Sequence, residues 1–283
     1  MEIFKQITPL KAYLKELRLA GKSIGLAPTM GALHRGHIAL IKAAQTHNQV
    51  TVCSVFVNPT QFNNPADLLK YPRTLEKDTQ LLKEVRCDVL FSPEIEEVYR
   101  EKTKLKFDFG DLDTVMEGKF RPGHFNGVGL VVAKLLHIVE PDNAYFGQKD
   151  WQQFAVIRLL VEDLSFNIKL HCVPTLREAD GLALSSRNLR LNQQQRATAT
   201  VFYQALRTAQ QLLRSGTPLP AVKKSVQKMV DERPGVTLEY FEVADSKNLN
   251  LIENVETANQ PILCIAGYVG EIRLIDNLFL NQE

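Results

Sequence analysis

The stretch Pro28-Thr29-Met30-Gly31-Ala32-Leu33-His34-Arg35-Gly36-His37 constrains this chain more than any other. Before it, residues 22–27 are short and apolar enough for a buried strand. After it, Ile38, Leu40, Ile41 and Ala44 recur at helical spacing, and residues 50–57 read as a second strand. The loop of this strand–loop–helix–strand unit therefore sits at a helix entrance. Helix N-termini present unpaired N–H groups and a positive partial charge, so anions bind there. His34 and His37, one turn apart, can both point at such an anion and donate hydrogen bonds to it. The loop predicts a phosphate site with neither a Walker lysine nor a Gly-x-Gly-x-x-Gly pattern. Two plainer readings stay open beside it. A His-x-x-His pair can be half a metal site, although no Cys or acidic residue stands nearby at a ligand spacing. Histidines can also be merely structural.

Later segments continue the alternation. The second strand runs into Asn58-Pro59-Thr60-Gln61, which puts polar amides at its carboxyl end. In open parallel sheets ligands bind at that edge. Asn58 and Gln61 are thus candidates to hold a small polar substrate, with turn chemistry the equal alternative for Asn58. Tyr71-Pro72-Arg73-Thr74 opens a helix through about Glu84, and residues 87–91 form a third strand. Asp78 in that helix is either a partner for a metal-bound phosphate or a solvated helix acid. Residues 105–109 alternate like an edge strand suited to pairing with another subunit. Residues 120–127 read as a structured loop holding one cation and one histidine, before a strongly apolar helix. Residues 143–147 are the next strand, and Gln148-Lys149-Asp150 its exit into a helix over 151–163. Lys149 supplies the point charge a polyphosphate needs, and Gln153 lies one turn into the helix. A strand over 167–173 completes about five αβ units, which predicts a parallel, doubly wound sheet with right-handed crossovers.

Pro174 to Gly181 breaks the pattern, so the expected division is residues 1–175 and 176–283. Leu184-Ser185-Ser186-Arg187-Asn188 carries two hydroxyls and a guanidinium, an oxyanion set or an ordinary loop. Asn192 to Gln195 resembles a capping box starting a long helix to Ser215. A second helix follows over 219–232, then strands over 236–244, 262–269 and 271–280, with Gly270 marking a hairpin. This α+β unit is small enough to act as a lid.

Composition excludes some classes. With 283 residues the chain is long enough for one large or two ordinary domains, and 45% hydrophobic with 23% charged content is that of a globular protein. A net charge of +2 gives no argument for a nucleic-acid or membrane partner. The N-terminus lacks a signal-peptide core, and no run reaches transmembrane length. Cys53, Cys87, Cys172 and Cys264 form no Cys-x-x-Cys, so reduced core thiols in a cytoplasmic protein are expected.

The loop His34-Arg35-Gly36-His37 resembles the His-x-Gly-His signature of the nucleotidyltransferase superfamily. Companion motifs narrow this. The 28–37 loop, Phe56 to Pro59 with Gln61-Phe62, Tyr71 to Thr74, Gly147 to Asp150 with Gln152-Gln153, and Arg177 to Gly181 through Ser185 to Asn188 stand in the order of the pantothenate synthetase family. The resemblance spans the whole chain. It implies a Rossmann-like α/β domain, a smaller C-terminal domain closing over ATP, a homodimer and Mg²⁺. It also implies an ATP-dependent ligase joining (R)-pantoate to β-alanine through a pantoyl-adenylate. By motif, Met30, Gly31, Ala32, Leu33, His34, Arg35, Gly36 and His37 contact ATP, with His37 in a proton-donor role. Gly147, Gln148, Lys149, Asp150, Leu176, Leu184, Ser185, Ser186 and Arg187 complete the ATP site, with His34, His37, Lys149 and Arg187 as its catalytic groups. Gln61 and Gln153 hold pantoate, Gln61 also meets β-alanine, and Asp78 is the metal candidate. Arg35 stands where an acidic residue is common, Trp151 where Tyr or Phe is, and Leu184 where Met is. The rival readings are an adenylyltransferase acting on another small carboxylate or phosphate, and a nucleotide-binding module without catalysis.

Overall fold

A computed structural model describes residues 1–281. Six strands, β1 (Glu2–Phe4), β2 (Ile24–Thr29), β3 (Val50–Val55), β4 (Val89–Phe91), β5 (Asn143–Gly147) and β6 (Lys169–Val173), make one sheet. Every pairing is parallel, in the order β1-β4-β3-β2-β5-β6. Helices cover both faces, which is why β2 and β3 are nearly continuous buried runs rather than alternating ones. From β2 the chain winds outward through β3 to β4, then returns to place β5 and β6 on the other side. The order thus reverses between β2 and β5, and their carboxyl ends open a crevice at that switch point. The loop after β2 carries His34 and His37, and the turn after β5 carries Lys149.

The second sheet, antiparallel β7 (Val236–Asp245), β8 (Pro261–Val269) and β9 (Ile272–Phe279), ends in a hairpin at Gly270, φ +59°. Its strands alternate between two cores. Tyr240, Ala244, Ile262, Cys264 and Ala266 pack with Val128, Val132 and Phe154 beneath the parallel sheet. Phe241, Val243, Leu263 and Ile265 pack instead with helices Val201–Arg214 and Leu219–Asp231. A period of two in β7 and β8 thereby joins both halves of the chain.

Four elements differ from the sequence reading. β1 is a sixth strand, too short for its periodicity to show. Residues 105–109 form no strand: Phe107 and Phe109 stack at 5.9 Å over Gly129, where a Cβ would stand 2.7 Å from the Phe109 ring. Their alternation records packing on a helix. The expected 120–127 loop is mostly helical, Met116–Phe120 and His124–Val139 meeting at Gly123, φ +79°. The helix expected from Asn192 has its capping box but breaks after Thr198, resuming as Val201–Arg214. At the break the Phe202 N–H donates to the Ala199 carbonyl at 3.4 Å, and Val201 and Phe202 turn into the core.

Candidate active site

A cavity of about 230 Å³ fills the crevice at the switch point. Its phosphate-loop wall is built by a helix far away in sequence. Gly31 (φ +79°) and Ala32 (φ +48°) turn the chain left-handed twice after β2. The buried carboxylate of Asp78 holds that turn, accepting from the Ala32 N–H at 2.9 Å, the Leu33 N–H at 2.8 Å and the Thr74 hydroxyl at 3.1 Å. The Asp78 oxygens are thus engaged by the loop, and its side chain does not line the cavity. Helix Arg35–His47 follows, capped by His34.

The cap fixes both imidazoles. His34 Nδ1 accepts from the Gly36 N–H at 3.1 Å, and His37 Nδ1 accepts from the His34 N–H at 3.3 Å. With both δ nitrogens accepting, each neutral ring carries its proton on Nε2. The rings lie 4.0 Å apart and both line the cavity. Burial, then the Lys149 charge, pulls His34 down to about 4. Burial, then His34 and Lys149, holds His37 well below the ordinary histidine range. Near neutrality the pair is uncharged, two N–H donors beside one ammonium.

Met30, Gly36, Gly147, Lys149 and Asp150 share this cavity, as do Leu176, Leu184, Ser185, Ser186 and Arg187. Five motif residues do not face it. Gly31, Ala32 and Leu33 shape the loop, and Arg35 turns outward to Glu178 at 2.5 Å, so its charge is spent on the C-terminal half. Gln148 packs behind the wall on Asn277. Ser186 Oγ donates to the Ala32 carbonyl at 3.1 Å, tying the two phosphate loops together. Arg187 reaches Asp67 at 2.8 Å, a carboxylate it shares with Arg190 at 2.9 Å.

Gln61 and Gln153 also line the cavity. Asn58 is buried behind Gln61: its amide N–H₂ donates to Gln61 Oε1 and to the Gly127 carbonyl, both at 3.1 Å. Gln61 is thereby turned so that its own N–H₂ faces Met30 and donates to Sδ at 3.1 Å. Asn58 thus starts the turn and also orients the Gln61 amide. Gly127 allows this approach, as a Cβ there would stand 2.2 Å from the Thr60 carbonyl.

Sequence reasoning passed over a second charged group on the same wall. Arg121 Nη1 donates to His124 Nε2 at 3.1 Å, so His124 Nδ1 carries the proton it gives to the Gln61 carbonyl at 2.8 Å. Burial, then Arg121, lowers His124 to about 3. The cation and histidine noted in the 120–127 segment were the only signal of this group. Glu117, buried beneath, receives Arg121 at 3.4 Å, Tyr240 OH at 2.9 Å and a forked Arg273 at 2.7 and 2.8 Å. Against the cost of burial, Arg273 and Arg121 hold its carboxyl at about 2.

No group of three or more His, Cys, Asp or Glu fit to hold a metal occurs among the described residues. The wall acids Glu117 and Asp276 are engaged by arginines, which leaves Asp150, 3.5 Å from Lys149, as the carboxylate suited to a cation that arrives with a ligand. Magnesium fits such a site, because it is commonly held by one or two carboxylates plus substrate phosphates.

A parallel α/β sheet whose switch-point crevice gathers neutral imidazole donors, a lysine and an arginine defines a class, the enzymes that work by holding phosphate charge. The comparisons with known proteins specify it further. The pantoate–β-alanine ligase family model matches residues 2–279, and the chain belongs to that family. Pantothenate synthetase of Porphyromonas gingivalis is 49% identical over 278 residues, covering 98% of this chain and 99% of that one. The Bacteroides thetaiotaomicron enzyme is 46% identical, covering 98% of each. Pantothenate synthetase of Thermus thermophilus superposes with a TM-score of 0.93 at 39% identity over the full length of both chains. The pantoate–β-alanine ligase of Francisella tularensis, solved with β-γ ATP and β-alanine, gives 0.83 at 36% identity, covering 100% of this chain and 99% of that one. The protein is a ligase that forms an amide bond.

Proposed function

We propose that the protein condenses (R)-pantoate with β-alanine using ATP, releasing AMP and diphosphate through a pantoyl-adenylate. The observation that carries this reading is the juxtaposition of two sets of donors. The ε N–H groups of His34 and His37 and the Lys149 ammonium form a polyanion cradle, and the Gln61 and Gln153 amides stand beside it as donors for a small hydroxy acid.

A carboxylate is a poor acyl donor and must be activated. In the proposed first step a pantoate carboxylate oxygen attacks the α-phosphorus of ATP, and the bond to the bridging oxygen breaks as diphosphate leaves. Two anions meet and charge builds on the leaving oxygen. His34, His37, Lys149, Ser185 and Arg187 offset both by donating hydrogen bonds and positive charge from fixed positions, while Ser186 fastens its loop to the Ala32 carbonyl. In the second step the β-alanine amine attacks the acyl carbon, the acyl C–O bond breaks as AMP leaves with its electron pair, and the amine proton passes to solvent. Arg121, in reach of the Gln61 carbonyl at 3.5 Å, supplies a guanidinium for a substrate carboxylate. Neither step needs a nucleophilic side chain. Asp150 would hold a magnesium ion that arrives with ATP, which would supply screening of phosphate charge and Lewis acidity.

The division into residues 1–175 and 176–283, a homodimer and a cytoplasmic location complete the proposal. The motif resemblance supports the homodimer. Four free cysteines support a reducing compartment, and no helix among the described residues is long and apolar enough to cross a membrane. The test is pyrophosphate exchange into ATP with pantoate present and β-alanine absent. Pantoate-dependent exchange is expected. Exchange that ignores pantoate, or AMP release indifferent to β-alanine, would favour an adenylyltransferase with another acceptor. Silence with and without β-alanine would favour a binding module.

A further inference from the structure

We infer that Asp276-Asn277 on β9 fastens both phosphate-facing segments of the cavity, and that Asn277 is a positioning residue for Lys149 during adenylate formation. The inference rests on the proposed role of Lys149 at the phosphates. Asn277 is buried on the cavity wall, far from Lys149 in sequence. It spends both N–H groups of its amide on the turn that follows β5, donating to the Gln148 carbonyl at 2.9 Å and the Lys149 carbonyl at 2.8 Å. Its own backbone N–H is held by Asp276 Oδ1 at 2.8 Å.

Asp276 does the same for the other segment. It accepts a fork from Arg177 at 2.6 and 2.9 Å, and Arg177 Nη2 also reaches the Asn277 carbonyl at 3.1 Å. Arg177 pairs with Ala183 across the base of the loop that ends in Leu184 to Arg187. The Arg177 guanidinium stacks on Tyr203 at 4.1 Å. One dipeptide therefore ties together two loops that do not touch in sequence. It can hold them because its own place is fixed: Asp276 and Asn277 pair in register with Ile265 and Cys264 of β8.

The side-chain chemistry is specific. Only an amide offers two N–H donors at the spacing of two neighbouring carbonyls on so short a stem. Aspartate has the same shape but would set a carboxylate against both carbonyl oxygens. The turn would then move, and Lys149 with it, while Asn277 need not touch a reacting atom.

The experiment measures Asn277→Asp in the two half-reactions separately. Pantoate-dependent ATP–pyrophosphate exchange depends on the Lys149 step, and supplied pantoyl-adenylate with β-alanine bypasses it. Exchange turnover is expected to fall about 10²-fold, the scale of an ångström misplacement. The second half-reaction is expected to stay within about twofold of wild type, and Asn277→Asp is expected to add almost nothing in a Lys149→Ala background. Equal loss in both half-reactions, or additive losses in the double variant, overturns the inference. Unimpaired exchange in Asn277→Asp beside a crippled Lys149→Ala sinks the inference alone. Unimpaired exchange in Lys149→Ala removes the reading of Lys149 and the inference with it. Should Asn277→Asp prove insoluble, Asn277→Ala in the same assays decides by the same outcomes.

Discussion

His34 and His37 are poised as neutral donors, and this sets what each does to rate and to pH dependence. Neither spare δ nitrogen is free to tautomerise, because each accepts a backbone N–H. His37→Ala removes one preorganised donor to the developing charge, a loss of about 3 kcal/mol or ~10²-fold in turnover. Pantoate affinity should change far less, and turnover within a few-fold of wild type would remove His37 from the mechanism. The depressed titrations carry a second prediction. A bound triphosphate favours imidazolium, so binding must raise the His34 value from about 4. Between that value and the raised one the complex holds more protons than the free protein. ATP binding should therefore take up protons above about pH 4 and tighten as pH falls toward that value, in the absence of bound metal. Calorimetry in buffers of different ionisation enthalpy reads the uptake directly, and no uptake at any pH between about 4 and neutrality would count against the imidazoles as phosphate partners.

The phosphate loop owes its shape to helix Leu75–Glu84, which reaches it through one carboxylate. Asp78→Asn replaces an acceptor by a donor that faces a backbone N–H. Leaving one buried donor unmatched costs about 1–3 kcal/mol. We expect a lower melting temperature and weaker ATP binding, with the Mg²⁺ requirement unchanged at saturating ATP. A shifted Mg²⁺ midpoint would instead return Asp78 to the metal. This case shows where the sequence could be read and where it could not. The His34–His37 loop was legible because its chemistry and its helix entrance are local. Lys149 and Gln61 were legible because each lies in the turn after a strand whose apolar run is plain, and Gln153 because it falls one turn into the helix that follows. Asp78 was visible but its contact with the loop was not, since an acid on a helix looks the same whether it faces a cation or a loop's amides. Arg121, His124 and Asn277 act through carbonyls or side chains that only tertiary contact brings near. Residues 105–109 alternate for a helix, not for a strand partner, and alternation alone does not distinguish the two.

At the scale of the whole molecule, the expected lid is not a loosely attached body. β7 and β8 lend one face to the core under the parallel sheet and the other to the C-terminal helices. Glu117 adds a polar seam, binding Arg273 and Tyr240 of the second sheet and Arg121 of the first half. Arg273 also meets Glu239, so the seam is a buried network with its charges matched. Closure over ATP should then be confined to the segments that meet through Arg187, Arg190 and Asp67, with β9 staying in place. Glu117→Gln tests the seam. Removing one partner of a buried pair typically costs about 3–5 kcal/mol, since Arg121 loses its counter-charge and Arg273 is left with Glu239. The melting temperature should drop, and calorimetry should show the C-terminal half separating as an earlier transition. The sign of the pH effect follows from the carboxyl, at about 2 folded against 4.5 in an open chain. Its contribution is complete above 4.5 and drains as pH falls toward 2. The gap between wild type and Glu117→Gln should therefore be widest above pH 5 and narrow steadily in acid. A gap that stayed constant down to pH 2.5 would mean that packing, and not the charge, joins the two halves.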